Sequence, residues 1–309
     1  MNMAITHSRV VNPGDTGFAE DWNADHVISD ELIAKRSRTR IVAASNSLDK
    51  TKADYVCDGT ADQVEIMTAM DDLSVTGGTV LLLEGTYNIS GGVEFKYDNI
   101  SLIGEGRGTK ITTTANISMI TLYDQKNIKI KDLFVYGSGL NSNTGIFLYQ
   151  AYDTEVESCF VENCGQNGIS IYNNANRVLV SNCSIASNQG NGIFLNGSNY
   201  FIITNNIIRE NNKHGILMTV QVGSLIVDNI IVDNDFLNSA SYDGISIDNC
   251  DRCIVIGNVC KNNDRYEIYL GSSANIKNIV VGNSCYGTDH VGAIQDTGTS
   301  TELAHNITT

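Results

Sequence analysis

A glycine followed by isoleucine returns at Gly145-Ile146, Gly168-Ile169, Gly192-Ile193, Gly215-Ile216 and Gly244-Ile245, and Glu267-Ile268 takes the next place. The intervals are 23, 24, 23, 29 and 23 residues. Self-similarity at a period of roughly 20 to 50 residues marks a solenoid, in which each repeat buries its apolar side only against its neighbours. The segments read GIFLY, GISIY, GIFLN, GILMT and GISID. Their apolar residues alternate, so each is a strand with Ile169 and Ile171, Ile193 and Leu195, Ile216 and Met218, and Ile245 and Ile247 facing inward.

A second apolar stretch follows in each repeat, at 178–180, 201–203, 230–232, 254–256 and 279–281. After it comes a polar turn, aligned on Ser158, Asn182, Asn205, Asn234, Asn258 and Asn283. Asparagine there predicts amides bonded from coil to coil and a left-handed backbone. Short strands stacked at about 4.8 Å per coil give an all-β right-handed parallel β-helix. A leucine-rich horseshoe is excluded by its missing consensus, and helical repeats by the strand alternation. The 29-residue interval predicts an insertion of roughly six residues within 220–242, emerging as a surface loop.

Upstream, Thr60-Ala61-Asp62-Gln63 has the form of a capping box, and Val64, Met67, Met70 and Leu73 then recur at helical spacing. This predicts a short helix covering the open first coil, ended by Gly77-Gly78. The expected organisation is an N-terminal arm over 1–50, a capped β-helix over 51–299 and a tail over 300–309. Phe18, Trp22 and Val27 are the arm's apolar anchors, and the chain's only proline, Pro13, also lies there.

A net charge of −15 and a pI near 4.6 argue against nucleic acid, because phosphate binding needs clustered Lys and Arg. No apolar run reaches the roughly 18 residues of a membrane span. The opening MNMAITHSRV lacks the basic start and apolar core of a secretory signal, which implies folding in a cytoplasm. The eight cysteines sit mostly within apolar strand patterns and are expected as unpaired thiols.

ADYVCDGTADQVEIMTAM at 53–70, GGTVLLLEGTYNI at 77–89 and ISLIGEGRGTKI at 100–111 resemble the entry to pectate-lyase-like β-helix proteins. That likeness extends over about 53–296 by the repeat count. VVNPGDTGFAEDWNADHVI at 10–28 is similar to N-terminal segments of tailed-virus virion proteins. Together these resemblances imply a virion-associated spike or fibre protein, assembled in the host cytoplasm. The arm would dock on other virion proteins, and the chain would form a homotrimer that binds host-surface glycan.

Three outward columns of the Gly-Ile strand are the place for such a ligand. The first runs Thr144, Asn167, Asn191, His214, Asp243, Tyr266; the second Phe147, Ser170, Phe194, Leu217, Ser246, Tyr269; the third Tyr149, Tyr172, Asn196, Thr219, Asp248, Gly271. His214 and Asp243 should lie about 5 Å apart. A carboxylate beside an imidazole suits a general acid or base, with Tyr266 one coil on; the same pair also suits a surface contact that stabilises the stack. Tyr149, Tyr172 and Tyr269, with Asn191, Asn196 and Asp248, offer flat faces and hydrogen-bonding tips to a sugar, or equally to another subunit.

Activity stays open between glycan binding alone, a lyase, epimerase or hydrolase, and a purely structural role. The chain lacks the polygalacturonase Gly-His-Gly element and the alginate-epimerase Asp-Pro-His element, and Arg209 and Arg265 match no pectate-lyase carboxylate cluster. No cofactor and no metal site is expected: Cys250-x-x-Cys253 has no second ligand pair, and calcium at Asp228, Asp233, Asp235, Asp243 and Asp248 competes with plain solvated acid.

Overall fold

A computed structural model describes residues 38–139, 143–237, 240–287 and 291–308. From Thr39 on they form one unit. Positions 1–37 of the expected arm, with Phe18, Trp22 and Val27, lie outside the described residues.

Each repeat winds through three short strands. One coil holds Ile193–Asn199, Ile202–Thr204 and Ile207–Arg209; the next holds Ile216–Val222, Leu225–Val227 and Ile230–Val232. Every strand pairs in parallel with its counterpart one coil away, so Ile193, Ile216, Ile245 and Ile268 form a single file. The first two strands of each coil build a 21-stranded sheet and the third a 10-stranded sheet. The winding is a right-handed parallel β-helix, as expected from the repeat. Its core is the stacked inward positions, such as Leu195, Ile203 and Ile208, each about fully buried and contributing about 1.5–3 kcal/mol.

The glycine of the repeat is a packing requirement. A Cβ at Gly192 would meet Ile208 Cγ2 at 2.5 Å, Gly215 O at 2.7 Å and Asn211 Nδ2 at 2.9 Å. The lead strand can therefore close on the third strand and on the asparagine behind it only without a side chain.

That asparagine belongs to one of two buried ladders. In one, Asn206, Asn229, Asn258, Asn283 and Asn306 stack so that each amide oxygen accepts the backbone N–H and the amide of the coil before, as with Asn206 to Asn229 at 3.0 Å for both. The other runs Asn188, Asn211, Asn234, Asn263. The single turn column read from the sequence mixes three positions. Ser158, Asn182 and Asn205 carry left-handed φ in a column continued by Asp228, Gly257 and Gly282; Asn258 and Asn283 belong to the buried column one residue later, and Asn234 to the other ladder. Asparagine suits both jobs, so adjacent columns read alike. Cys159 and Cys183 precede Asn206 in its column, and Cys183 N–H donates to Asn206 Oδ1. All eight cysteines are buried and unpaired.

Pairing also extends beyond the repeats that carry the Gly-Ile mark. Thr39–Ala43 pairs with Gly78–Leu82 inside the stretch expected as arm, and Glu302–Ala304 and Ile307–Thr308 add strands inside the expected tail.

The cap helix is Gln63–Asp71. It buries Ile66, Ala69 and Met70, and Leu73 is buried just beyond its end, whereas Val64 is half exposed, so its inner face is rotated from the expected one. Asp62 makes no capping bond to the helix; its carboxylate accepts from Gly59 N at 2.8 Å and Asn88 N at 2.7 Å. The predicted box is thus a tie between the helix entry and the first coils. No helix among the described residues is long and apolar enough to cross a membrane.

Candidate functional site

The three outward columns stack as the alignment requires. Phe147, Ser170, Phe194, Leu217, Ser246 and Tyr269 are successive register partners, as are Tyr149, Tyr172, Asn196, Thr219 and Asp248. The face divides into two chemically different halves.

On the later coils lies an ionic cluster. His214 and Asp243 are brought together: the Asp243 backbone N–H donates to His214 Nδ1 at 2.9 Å, and a carboxylate oxygen lies 3.3 Å from the same nitrogen. One ring nitrogen cannot both accept from the N–H and donate to the carboxylate. The shorter bond, to the backbone, makes Nδ1 the acceptor and leaves the proton of the neutral ring on Nε2. The charge of Asp243 is met instead by Arg265, whose Nε and terminal nitrogen bind the two carboxylate oxygens at 2.7 and 2.6 Å. Burial by itself would raise the Asp243 carboxyl; the paired Arg265 guanidinium outweighs it and holds the group below its usual range. The pairing of Arg265 with Asp243 was not expected from the sequence. Arg265 was missed because it sits one residue outside the outward column.

His214 also continues a hydrogen-bonded file. Asn191 N–H donates to Asn167 Oδ1 at 2.8 Å, His214 N–H to Asn191 Oδ1 at 3.2 Å, and Asp243 N–H to His214 Nδ1. The imidazole nitrogen thus takes the place of an asparagine oxygen. Tyr266 stacks on Tyr269 with centroids 5.2 Å apart and planes 7° apart, and the Arg265 guanidinium lies 4.2 Å from the Tyr269 ring centre. Tyr242 meets the His214 ring edge-on at 5.0 Å. It comes from the insertion, which falls after Asn234: the preceding ladder interval is 23 residues from Asn211, and the next is 29 to Asn263. Buried Asp235 organises this loop by accepting from Ser241 and Tyr242 N–H.

On the earlier coils lies an aromatic patch. Tyr123, Phe147, Tyr149, Tyr172 and Phe194 make a continuous set of ring contacts, with Tyr123–Phe147 at 5.7 Å, Phe147–Tyr172 at 5.5 Å and Tyr172–Phe194 at 5.2 Å. Small, buried Ser170 stands between Phe147 and Phe194 in their column, where the Tyr172 ring reaches both. Tyr149 accepts from Asn173 Nδ2 at 2.5 Å, which fixes its tip. Tyr123, 46% exposed, was missed because its segment reads MITLY, without the glycine that flags the other coils. Asn196 and Asp248 are exposed in the third column beyond the patch.

The five aspartates considered for calcium are dispersed. Asp228 and Asp233 hold left-handed turns, Asp235 bonds its own loop, Asp243 pairs with Arg265 and Asp248 is exposed. Among the described residues one other group has metal-ligating atoms in reach of one another: Cys57, Asp62 and Glu65 by the cap. There burial pushes the Cys57 thiol up to about 12, and Asp62 already accepts two backbone N–H groups.

Residues 144–307, just over half of the chain, match the family described as right handed beta helix region. No curated protein matches the sequence. Three solved structures share the fold: ORF18 of Geobacillus virus E2 (TM-score 0.60, 17% identity, 79% of this chain and 56% of that one), the enzymatically active domain of bacteriophage CBA120 tailspike protein 2 (0.65, 14%, 77% and 39%), and pectate lyase Pel9A (0.60, 13%, 88% and 81%). The chain thus spans about half or less of the two viral proteins.

Proposed function

Because the chain belongs to the right-handed β-helix family, we propose that it acts as a glycan-binding component of a tailed-virus particle, holding a host-surface polysaccharide on the aromatic half of its lead-strand face. The observation that carries this reading is the set of five touching rings on successive coils, with Tyr123 half exposed. Rings at coil spacing offer flat apolar surfaces to successive sugar residues, and their hydroxyls with Asn196 and Asp248 offer partners to sugar hydroxyls. The virion setting is supported by the fold shared with a viral ORF18 and a phage tailspike. Homotrimeric assembly and docking through the N-terminal arm belong to the same proposal.

Binding is favoured over turnover because the groups first considered catalytic are already engaged. His214 Nδ1 is occupied by a backbone N–H and both Asp243 oxygens by Arg265, so neither is poised to take a substrate proton. The test incubates the protein with a panel of neutral and acidic bacterial surface polysaccharides. Binding that is lost in Tyr172→Ala, with no new reducing ends or unsaturated products, is the expected result. Products that vanish in His214→Ala would replace it with the lyase, epimerase or hydrolase reading through His214, Asp243 and Tyr266.

A further inference from the structure

Every other set of touching rings among the described residues carries a cation. On the third strands Arg107 lies 4.1 Å from the Phe160 ring centre and Lys110 lies 4.0 Å from that of Tyr136. Lys213 lies 5.8 Å from Tyr242, and Arg265 lies 4.2 Å from Tyr269. Over the five rings of the aromatic patch there is no Lys or Arg among the described residues. Besides these rings, the outward columns there hold Thr121, Thr144, Asn167, Ser170, Asn191 and Asn196, none of them ionisable.

The border of the patch is neutral to acidic. On the coil before it, exposed Glu94 is the register partner of Thr121, and exposed Lys96 follows two residues on, so their charges offset. Asp124 is exposed directly after Tyr123, and Asp248 is exposed two coils beyond Asn196. The cations that follow around the corner, Lys126 and Arg177, are already paired with Asp98 and Asp153.

We propose that the polysaccharide held on this patch is neutral where it meets the rings, with no uronate, phosphate or sulfate group on that stretch. The inference rests on the glycan reading above and names the class of polysaccharide it takes. An anionic group over the rings would give up hydration with no cation to replace it. It would also face the negative side of each aromatic quadrupole, in the field of a chain whose net charge is −15. A neutral sugar incurs neither cost: its apolar faces cover the rings while its hydroxyls bond to Asn196 and the tyrosine tips.

The test measures binding of the full chain to uronate-containing bacterial surface polysaccharides, each in native form and after reduction of its carboxyls to primary alcohols, alongside natively neutral ones. The expected binders are neutral polymers, natural or reduced. A native acidic form is expected to bind at least about tenfold more weakly than its reduced counterpart at about 0.01 M salt, where charges act over about 30 Å. Neutral binding should change less than about twofold up to about 1 M salt, where that range is about 3 Å, and should weaken in Tyr172→Ala. A native acidic polymer that binds through Tyr172 as tightly as its reduced form, or binding that falls steeply with salt, overturns the neutral class and leaves the glycan reading standing. Absence of binding by both kinds, or binding indifferent to Tyr172→Ala, removes the glycan reading and this inference with it.

Discussion

The two halves of the lead-strand face share one backbone and one register, yet they spend their side chains differently. On the later half His214, Asp243 and Arg265 satisfy one another, with Asp243 fully buried. On the earlier half Tyr123, Phe147, Tyr149, Tyr172 and Phe194 meet one another through their rings, with the Tyr149 hydroxyl held by Asn173, and keep surface in contact with water. A polar cluster that completes itself stabilises the stack, whereas rings left partly exposed keep apolar surface uncovered, which the proposed glycan site uses. Columns of chemistry-bearing residues therefore do not by themselves identify a site; what matters is whether their bonding capacity is already used.

The largest expected effect tests the self-sufficiency of the ionic half. Asp243→Ala leaves the guanidinium of Arg265, which is 27% exposed, without its carboxylate, and breaking a buried pair from one side costs about 3 kcal/mol or more. Thermal unfolding should show that loss while polysaccharide binding stays within twofold of wild type. Binding that falls with the stability would erase the distinction between the halves. The depressed Asp243 carboxyl adds a sign: its contribution is present above the unfolded value near 3.9 and is lost as pH falls through the lower folded value.

Glu267 sharpens the comparison, since its carboxyl shifts the opposite way from that of Asp243. It stands where the repeat calls for glycine, fully buried, and its oxygens accept from Asn263 N–H and Nδ2 at 3.3 and 2.5 Å, ending the second asparagine ladder. Burial, only partly offset by these bonds, pushes its carboxyl up to about 7. The folded state then holds a proton that the unfolded chain releases, so stability falls as pH rises from about 4.5 to about 7, by about 3 kcal/mol at most, and levels off above. Denaturant midpoints across that range should decline in the wild type and stay flat in Glu267→Gln.

The fold was legible because the Gly-Ile spacing and strand alternation are dictated by packing: a side chain at Gly192 has no room. The columns holding His214, Asp243, Tyr149 and Tyr172 were legible for the same reason. Arg265, Tyr242 and Tyr123 were not, since a guanidinium reaches sideways from a neighbouring position, the insertion has no repeat to align it, and MITLY lacks the marker glycine. The asparagine columns were confused because a left-handed turn and a buried ladder favour the same residue. Distinguishing them needs to know which side chain turns inward.

On the aromatic half, Tyr172→Ala should weaken polysaccharide binding about tenfold, the 1.4 kcal/mol scale of one central contact residue, with little change in unfolding temperature. Tyr172 is the test position because its ring links Phe147 to Phe194; Tyr269→Ala, on the ionic half, should leave affinity unchanged. Equal losses at both positions would mean that the ligand spans the whole face and that the self-paired cluster still contacts it.

The smallest effect is expected where charges are many and water is near. Lys129 lies 2.9 Å from both Glu155 and Glu157, a geometry that resembles the Arg265–Asp243 pair in distance alone. Each member of this set is roughly a quarter to a half exposed, so water and salt screen the attraction, and such pairs contribute about 0–1 kcal/mol. Lys129→Ala should therefore shift stability by less than about 1 kcal/mol, and 1 M salt should reduce that difference further. A loss as large as that of Asp243→Ala would show that the density of charge on a coil, and not its removal from water, sets what an ion pair contributes to this stack.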